Sequence, residues 1–302
     1  MSASVPIYVL SLERSTDRRA HVGRQLDALG LSYEWIPAID ATRVGADALR
    51  SMAGNQAFDV HPWIGRALTA SEVGCALTHA ETWRRIAEGN APAALVLEDD
   101  VDVHRHLPTL LQHAVEHAGD AHVVLFGHHS SRQPWVPGAP FDHRHGALTT
   151  FSGRALSQCH YMAPIVEYAQ GAYAYLVTRA GAAALLKLGT PIRMPADSVT
   201  GYAATTGVHV LAVTPPCVVP SAAFKTTMTG VRPCPCRVCS AARLKAEAEG
   251  RAMLMTHEEL VAGRQRPKDR LRSAGGKVLL FLRRLGVRPG SFWAPPGLFG
   301  TR

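Results

Sequence analysis

A short apolar run ends in a tight group of carboxylates. Residues 93–97 read as a buried strand, and Glu98, Asp99, Asp100 and Asp102 follow directly. Like charges so close together repel one another unless a cation neutralises them, and carboxylate oxygens are the ligands that Mg²⁺ and Mn²⁺ prefer. The alternative is an acidic turn in solvent before a helix. Because open α/β sheets bind ligands at the carboxyl ends of their strands, the position favours a Mn²⁺ or Mg²⁺ site.

A second group of metal-ligating side chains lies near the C-terminus. Cys234, Cys236 and Cys239 crowd within six positions, and His257 follows. Three thiols and one histidine form a closed set that is typical of structural zinc, since no open position remains for catalysis. We therefore predict a zinc clip here, with Cys217 as an alternative fourth ligand. The other interpretation is three incidental thiols.

The elements that must position these groups alternate between strands and helices. Strands are predicted near residues 7–12, 33–39, 93–97, 123–127, 172–177 and 208–213, and helices lie between most of them. Thr69 to Glu72 has the spacing of a capping box that opens one of these helices. This alternation predicts an α/β fold with a mostly parallel sheet and helices on both faces. Neither a dinucleotide-binding glycine motif nor a P-loop occurs.

The net charge of +8 is unevenly distributed and divides the chain in two. Residues 226–302 hold 15 basic and 5 acidic residues, a net charge of +10. Residues 1–225 hold the remaining 17 basic and 19 acidic residues, a net charge of −2. We predict a catalytic domain over 1–225 and a basic extension over 226–302.

Apolar and basic residues are mixed in that extension. Residues 264–288 carry nine basic residues and one acidic residue around the apolar run Val278–Leu282. This pattern suits a helix at the surface of an anionic membrane, such as the cytoplasmic face of an inner membrane. A helix packed on the domain with its basic face in water is the alternative. Nucleic acid is a third and less favoured partner, because no aromatic-interleaved basic platform accompanies the charge.

The N-terminus and the cysteines bear on location. Residues 1–9 show no charged n-region and no long apolar core of a signal peptide, and the apolar runs are too short to span a bilayer. The six cysteines show no disulfide framework. A reducing, cytoplasmic setting fits this pattern, with peripheral membrane attachment through the extension.

Six ordered segments resemble glycosyltransferase family 25. This family includes lipopolysaccharide galactosyltransferases and relatives of procollagen galactosyltransferase. The resemblance covers roughly residues 5–220 and rests on these segments: Ile7–Arg19, Trp35–Asp40, Ser71–His79, Leu95–Val101, Gly171–Gly181 and Pro195–Asp197. It implies a GT-A-type, Rossmann-like fold, a nucleotide-sugar donor, a divalent metal and inversion at the anomeric carbon. The cysteine cluster is not part of the resemblance.

The resemblance also implies roles for the matching residues. Glu98, Asp99 and Asp100 match an acidic metal motif, with Asp100 and then Glu98 as the metal ligands. Contacts to the donor are expected from Asp99 and from the following residues: Arg14, Asp17, Arg18 and Asp40. Each of the four also has an interpretation without a ligand. Arg14, Asp17 and Arg18 would suit the exposed first turn of a helix, and Asp40 would suit a turn.

Three more residues are candidates for catalysis. Inverting transfer needs a general base for the acceptor hydroxyl, and Asp197 is the candidate; its other interpretation is a helix N-cap. Glu72 and His79 lie seven residues apart and share a helix face. Their structural interpretations are the capping box for Glu72 and a core or rim histidine for His79.

The expected function is therefore a metal-dependent inverting glycosyltransferase. The favoured donor is UDP-galactose, and the favoured acceptor is a sugar on lipopolysaccharide or another surface glycan, including a glycolipid. Two other classes remain open on the sequence. One is a glycoside hydrolase that uses a carboxylate pair, and the other is a zinc-stabilised nucleic-acid-binding protein.

Overall fold

The computed structural model describes most of the first 224 residues. The described ranges are 5–60, 66–130, 153–165, 168–201 and 207–224, with Phe141, Gly146, Leu148 and Thr150 between them. All of these residues belong to the first of the two units, residues 1–258, into which the chain divides. Cys234, Cys236, Cys239 and His257, and with them the predicted zinc clip and basic extension, lie outside the described residues.

Strands and helices alternate through the described residues. The strands are β1 Ile7–Ser11, β2 Glu34–Pro37, β3 Ala93–Glu98, β4 Val101–Val103, β5 Val123–Ser130, β6 Arg154–Ala155, β7 Tyr161–Pro164, β8 Ala169–Thr178, β9 Val210–Thr214 and β10 Val218–Pro220. The helices are α1 Thr16–Ala28, α2 Ala41–Val44, α3 Ala46–Ala53, α4 Ala70–Glu88, α5 Leu107–His117, α6 Arg179–Gly189 and α7 Ala196–Gly201, with a 3₁₀ turn at Asn55–Phe58. The predicted α/β class is confirmed.

The main sheet has eight strands in the order β2-β1-β3-β8-β5-β9-β7-β6, and β4 pairs separately with β10. Three neighbouring pairs in the main sheet are parallel and four are antiparallel. The sheet is thus mixed, whereas the sequence pattern predicts a mostly parallel one. A central strand such as β8 is apolar on both faces whichever way it points, so hydropathy does not encode its direction.

Helices cover both faces of the sheet, as predicted. Alternate residues of β3 enter opposite cores, with Val96 in one core and Leu95 and Leu97 in the other. The first core packs against α3, α4, α6 and α7, and the second packs against α1 and α5. This two-sided burial fixes the register of β3, because a slip by one residue would exchange its two faces.

Helix α4 begins at the predicted capping box. Thr69 Oγ1 accepts the Glu72 backbone N–H at 3.2 Å, and the Glu72 carboxylate accepts the Thr69 N–H at 2.8 Å. Such a cap stabilises a helix start by about 1 kcal/mol. Further along, Gly74 allows close approach, since a Cβ there would lie 2.7 Å from the Ile39 carbonyl oxygen. Thr78 Oγ1 accepts the Ile39 N–H at 3.0 Å, so α4 is fastened to the end of β2.

Parallel pairing brings three strand ends together. β1 lies between β2 and β3 and is parallel to both, so their carboxyl ends meet at one edge of the sheet. Ser11, Asp40 and Glu98 lie at or just beyond those ends. Among the described residues, no helix is long and apolar enough to cross a bilayer.

Candidate functional site

A pocket of about 240 Å³ opens where the three parallel strands end. Its floor comes from Ser11 and Glu98, one wall comes from α4, and Phe224 lies beyond β10 on another side. Seven of the ten predicted site residues that the structure describes line it, namely Arg14, Arg18, Asp40, His79, Glu98, Asp99 and Asp100. Strand pairing therefore assembles residues that are up to 86 positions apart, from Arg14 to Asp100, into one cavity.

Arg18 connects the two aspartates at the end of β3. Its Nη1 atom donates to Asp100 Oδ2 at 2.8 Å and lies 3.3 Å from Asp99 Oδ1. Ser11 Oγ donates to the other oxygen of Asp99 at 2.6 Å. Both carboxylate oxygens of Asp99 therefore accept from protein donors and its side chain keeps 9% of its surface exposed, whereas the side chain of Asp100 keeps 28% exposed. Of the two aspartates, Asp100 is the one that can meet a ligand.

Negative charge at this strand end exceeds positive charge. Burial, together with repulsion from Glu98, raises the pKa of Asp100 to about 7, although Arg18 opposes the shift. Burial also raises the pKa of Asp99. Asp99 and Asp100 thus share one guanidinium while Glu98 lies nearby, and a divalent cation between Glu98 and Asp100 would supply further positive charge. The oxygen donors and the charge balance both fit Mn²⁺ or Mg²⁺.

His79 is held by a buried network on α4 and β8. Trp83 Nε1 donates to the Tyr175 hydroxyl oxygen at 2.8 Å, and that hydroxyl lies 2.8 Å from His79 Nδ1. Because the Tyr175 oxygen accepts from Trp83, its own proton is able to donate to His79 Nδ1. In that tautomer the His79 proton is on Nε2, which faces Glu98 Oε1 at 3.4 Å. His79 therefore orients the Glu98 carboxylate.

Asp40 and Arg14 form a matched pair on the opposite side of the pocket. Arg14 Nε donates to Asp40 Oδ2 at 2.5 Å, and the Thr42 N–H and hydroxyl both donate to Oδ1. These donors hold the pKa of Asp40 at about 2. Asp40 is also the N-cap of α2, so the turn-forming role left open by the sequence is present beside the predicted ligand role.

The start of α1 faces the same cavity. Ser15, the N-cap residue, lines the pocket together with Arg14 and Arg18, and its side chain makes no capping hydrogen bond. Backbone N–H groups at a helix N-terminus and nearby guanidinium groups favour anions such as phosphate. Asp17 is exposed in the first turn of α1 and does not line the pocket.

Glu72 is engaged in structural contacts. Besides closing the capping box, its carboxylate accepts two hydrogen bonds from the Arg66 guanidinium, at 2.5 and 2.7 Å. The residue is 5% exposed and does not line the pocket. Its oxygens therefore already have strong donors.

Asp197 lies in the first turn of α7, one residue inside the helix start. Its Oδ2 atom lies 3.5 Å from the Gly171 N–H, and Tyr168 and Ser198 also donate to the carboxylate. Burial nevertheless raises the pKa of Asp197. Gly171 has a φ of +93°, and a Cβ there would lie 2.2 Å from the Tyr173 ring, so glycine is required at this contact. Asp197 does not line the pocket, but it lies close enough to Cys75, which does, to raise the pKa of that thiol.

Sequence reasoning missed several pocket residues. Cys75, Tyr173 and Phe224 line the cavity, and none was singled out from the pattern. One signal was available, because Cys75 and His79 are four positions apart and share a face of α4. No local pattern indicates Tyr173 or Phe224, since chain folding alone brings them to this edge.

Comparison with known proteins identifies the family. The family model described as "Glycosyltransferase family 25 (LPS biosynthesis protein)" matches residues 4–200. The chain belongs to glycosyltransferase family 25. The family 25 match includes every segment that lines the pocket except residues 220–224, at and after the end of β10.

Curated relatives match shorter stretches. A "Glycosyltransferase 25 family member" of Aedes aegypti is 30% identical over 141 residues, 44% of this chain and 23% of that protein. "Procollagen galactosyltransferase 1-A" of Xenopus laevis is 31% identical over 110 residues, 35% of this chain and 18% of that protein. A human relative, 30% identical over 36% of this chain and 19% of that protein, is named "Inactive glycosyltransferase 25 family member 3". The chain thus spans about a fifth of the length of these relatives.

One solved structure shows a weaker likeness. Mannose-1-phosphate geranyltransferase from Thermus thermophilus aligns over 72% of this chain and 74% of that chain, with 14% identity and a TM-score of 0.30. A likeness at this level supports no inference about function.

Proposed function

We propose that this family 25 protein is a metal-dependent, inverting glycosyltransferase of the GT-A type. It would transfer a sugar from a nucleotide diphosphate donor to a hydroxyl of a glycan. The observation that carries the proposal is the cluster of carboxylates at the end of β3, where Asp99 and Asp100 share Arg18 and Glu98 repels Asp100 beside the start of α1. A pocket that joins surplus carboxylates to phosphate-binding groups suits a cation and a diphosphate together.

Glu98 and Asp100 are the residues that would hold the cation. Bound there, Mn²⁺ or Mg²⁺ would neutralise the charge that develops on the leaving diphosphate. Asp99 is held by Ser11 and Arg18, so its role would be to fix Arg18 and the end of the strand. His79 would keep Glu98 turned towards the pocket through its Nε2 proton.

Groups at the start of α1 would bind the nucleotide diphosphate donor. Arg14, 40% exposed, and the N–H groups at the start of α1 are placed to bind phosphate oxygens. Asp40 remains ionised throughout the physiological range and would accept hydrogen bonds from ribose hydroxyls. Binding there has to compete with the Arg14 and Thr42 contacts that Asp40 already makes.

Asp197 is our candidate for the general base. Its buried carboxylate, with a raised pKa, would take a proton from an acceptor hydroxyl more readily than an exposed aspartate. Since Asp197 does not line the pocket, the acceptor would have to approach past Cys75 on α4. Glu72 fits a structural role better than a catalytic one, since its oxygens are engaged by Arg66 and Thr69.

Galactose and a surface glycan are the favoured sugar and acceptor. Support comes from the relative named procollagen galactosyltransferase and from the family description as an LPS biosynthesis protein. The basic extension 226–302 would hold the enzyme at an anionic membrane surface beside a lipid-linked acceptor, in a cytoplasmic setting.

A donor screen tests the proposal. UDP-galactose and other nucleotide sugars are incubated with the full-length protein, a glycan acceptor, and either Mn²⁺ or EDTA, and nucleoside diphosphate release is measured. We expect release that needs a divalent cation and is fastest with one UDP-sugar. Cleavage of simple glycosides in EDTA would instead identify a hydrolase. No turnover of any donor would refute the catalytic proposal.

A further inference from the structure

Three metal-ligating side chains of different chemistry meet beside the predicted oxygen site. Cys75 and His79 occupy one face of α4, and Glu98 ends β3 opposite them. One ligand atom from each side chain lies within 4.8 Å of both others. Within the described part of the chain, this is the one set of three or more such residues that meets this spacing.

We propose that Cys75, His79 and Glu98 form a second cation site, selective for a thiophilic divalent metal such as Zn²⁺. The choice of metal follows from the donor atoms, because sulfur, imidazole nitrogen and one carboxylate oxygen are typical zinc ligands. Mn²⁺ and Mg²⁺ prefer oxygen atoms only. Tetrahedral zinc needs neighbouring ligand atoms about 3.5 Å apart, and His79 Nε2 and Glu98 Oε1 already lie 3.4 Å apart.

Cys75 is accessible to a metal ion. Its side chain lines the pocket and is partly exposed. The carboxylates of Glu98 and Asp100 line the same pocket and would attract a divalent cation, and a bound Zn²⁺ would displace the thiol proton.

One of the two tautomers of His79 allows it to join the site. Its Nε2 atom faces Glu98 and binds a metal only when it carries no proton. The proton can reside on Nδ1 instead and be donated to the Tyr175 oxygen. That oxygen already accepts from Trp83, and a hydroxyl oxygen accepts two hydrogen bonds. The network therefore permits the second tautomer.

The shared Glu98 has a functional consequence. The proposed transferase site uses Glu98 together with Asp100, so a zinc ion that captures Glu98 would exclude Mn²⁺. Zinc would then inhibit transfer, in competition with Mn²⁺. This consequence rests on the proposed function, whereas the binding of zinc does not.

Cobalt spectroscopy tests the site without any need for turnover. The test uses the full-length chain with Cys234, Cys236 and Cys239 replaced by serine, so that this cluster gives no signal. Co²⁺ bound to a thiolate produces a near-ultraviolet charge-transfer band, and Zn²⁺ should bleach it. We expect Cys75→Ser to abolish the band and to weaken Zn²⁺ binding by more than about tenfold, since even supporting groups contribute that much.

Cys159→Ser is the matched control, because Cys159 is an exposed cysteine that does not line the pocket. It should leave the band unchanged. A band that survives Cys75→Ser, or no band in the parent chain, would overturn the site. In turnover assays, Zn²⁺ should raise the Mn²⁺ concentration needed for half-maximal rate in the parent and not in Cys75→Ser. Equal zinc inhibition in both would overturn the competitive role.

Discussion

Two aspartates on opposite sides of one pocket have opposite electrostatic surroundings. Asp40 pairs with Arg14 and accepts two hydrogen bonds from Thr42, and these contacts hold its pKa at about 2. Asp100 shares Arg18 with Asp99 and faces Glu98, and its pKa rises to about 7. A carboxylate whose partners are all supplied by the protein stabilises the fold. A carboxylate whose negative charge is not balanced by the protein favours the binding of a cation from solution.

Asp100→Asn should produce the largest effect on activity. Removing a direct metal ligand should lower cation-dependent turnover by at least about a hundredfold. The melting temperature should stay the same or rise, because the substitution removes a desolvated charge that Glu98 repels. Donor turnover with Mn²⁺ and thermal unfolding are the two measurements.

Asp17→Asn is the matched control for Asp100→Asn. Asp17 is exposed at the start of α1 and does not line the pocket, so its loss should leave turnover within about twofold, as for most surface substitutions. Full activity in Asp100→Asn would contradict the proposal that Asp100, unlike Asp40, is a metal ligand.

Tyr175→Phe should give the next largest effect. It leaves Trp83 Nε1 and His79 Nδ1 buried without a partner, which costs about 1–3 kcal/mol of unfolding free energy. If His79 then turns away from Glu98, Mn²⁺ affinity should fall by about 10–100-fold. Denaturant unfolding and the Mn²⁺ dependence of turnover separate the two effects.

Tyr161→Phe, at a partly exposed position on β7, is the control for Tyr175→Phe and should change neither quantity. A loss of stability with unchanged Mn²⁺ dependence would restrict Tyr175 to a structural role.

Glu72→Gln should affect stability more than activity. The change leaves the Arg66 guanidinium without its carboxylate and weakens the α4 cap, so the melting temperature should fall. Below that temperature, turnover should stay within about threefold of the parent, because Glu72 does not line the pocket. A loss of turnover comparable to that of Asp100→Asn, in a protein that remains folded, would assign Glu72 to catalysis.

The last comparison is the pH dependence of stability, where the two aspartates should act in opposite directions. The raised pKa of Asp100 means that the cation-free folded state binds its proton more tightly than the unfolded state. This contribution is full below pH 3.8 and is lost as the pH rises towards 7. The lowered pKa of Asp40 gives a contribution that is present above pH 3.8 and is lost as the pH falls towards 2.

Urea unfolding of Asp100→Asn and Asp40→Asn, each compared with the parent in EDTA across this range, measures both contributions. The stability of Asp100→Asn relative to the parent should rise between pH 4 and pH 7, and the deficit of Asp40→Asn should shrink below pH 4. If the free energies of unfolding of the two variants changed with pH in the same way, the proposed difference in charge balance between Asp100 and Asp40 would be contradicted.

Much of the local structure follows from the sequence. The Thr69–Glu72 capping box is present where the sequence predicts it. Caps and alternating runs are local signals, since their hydrogen bonds and buried faces lie within a few residues. The direction of β8 and the short strands β4 and β10 were not predictable, because the pairing that defines them comes from distant segments.

The sequence by itself determined the acidic strand end, the helix that begins near Arg14 and the family to which those segments belong. Only the tertiary structure decided the charge balance. In the folded protein Arg14 pairs with Asp40, and Arg18 pairs with both Asp99 and Asp100. His79 and Cys75 lie next to Glu98. The physical reason is that an ion pair forms only when its charged atoms lie within about 4 Å of each other. Spacing along the chain does not specify which side chains meet at that distance across the strand ends.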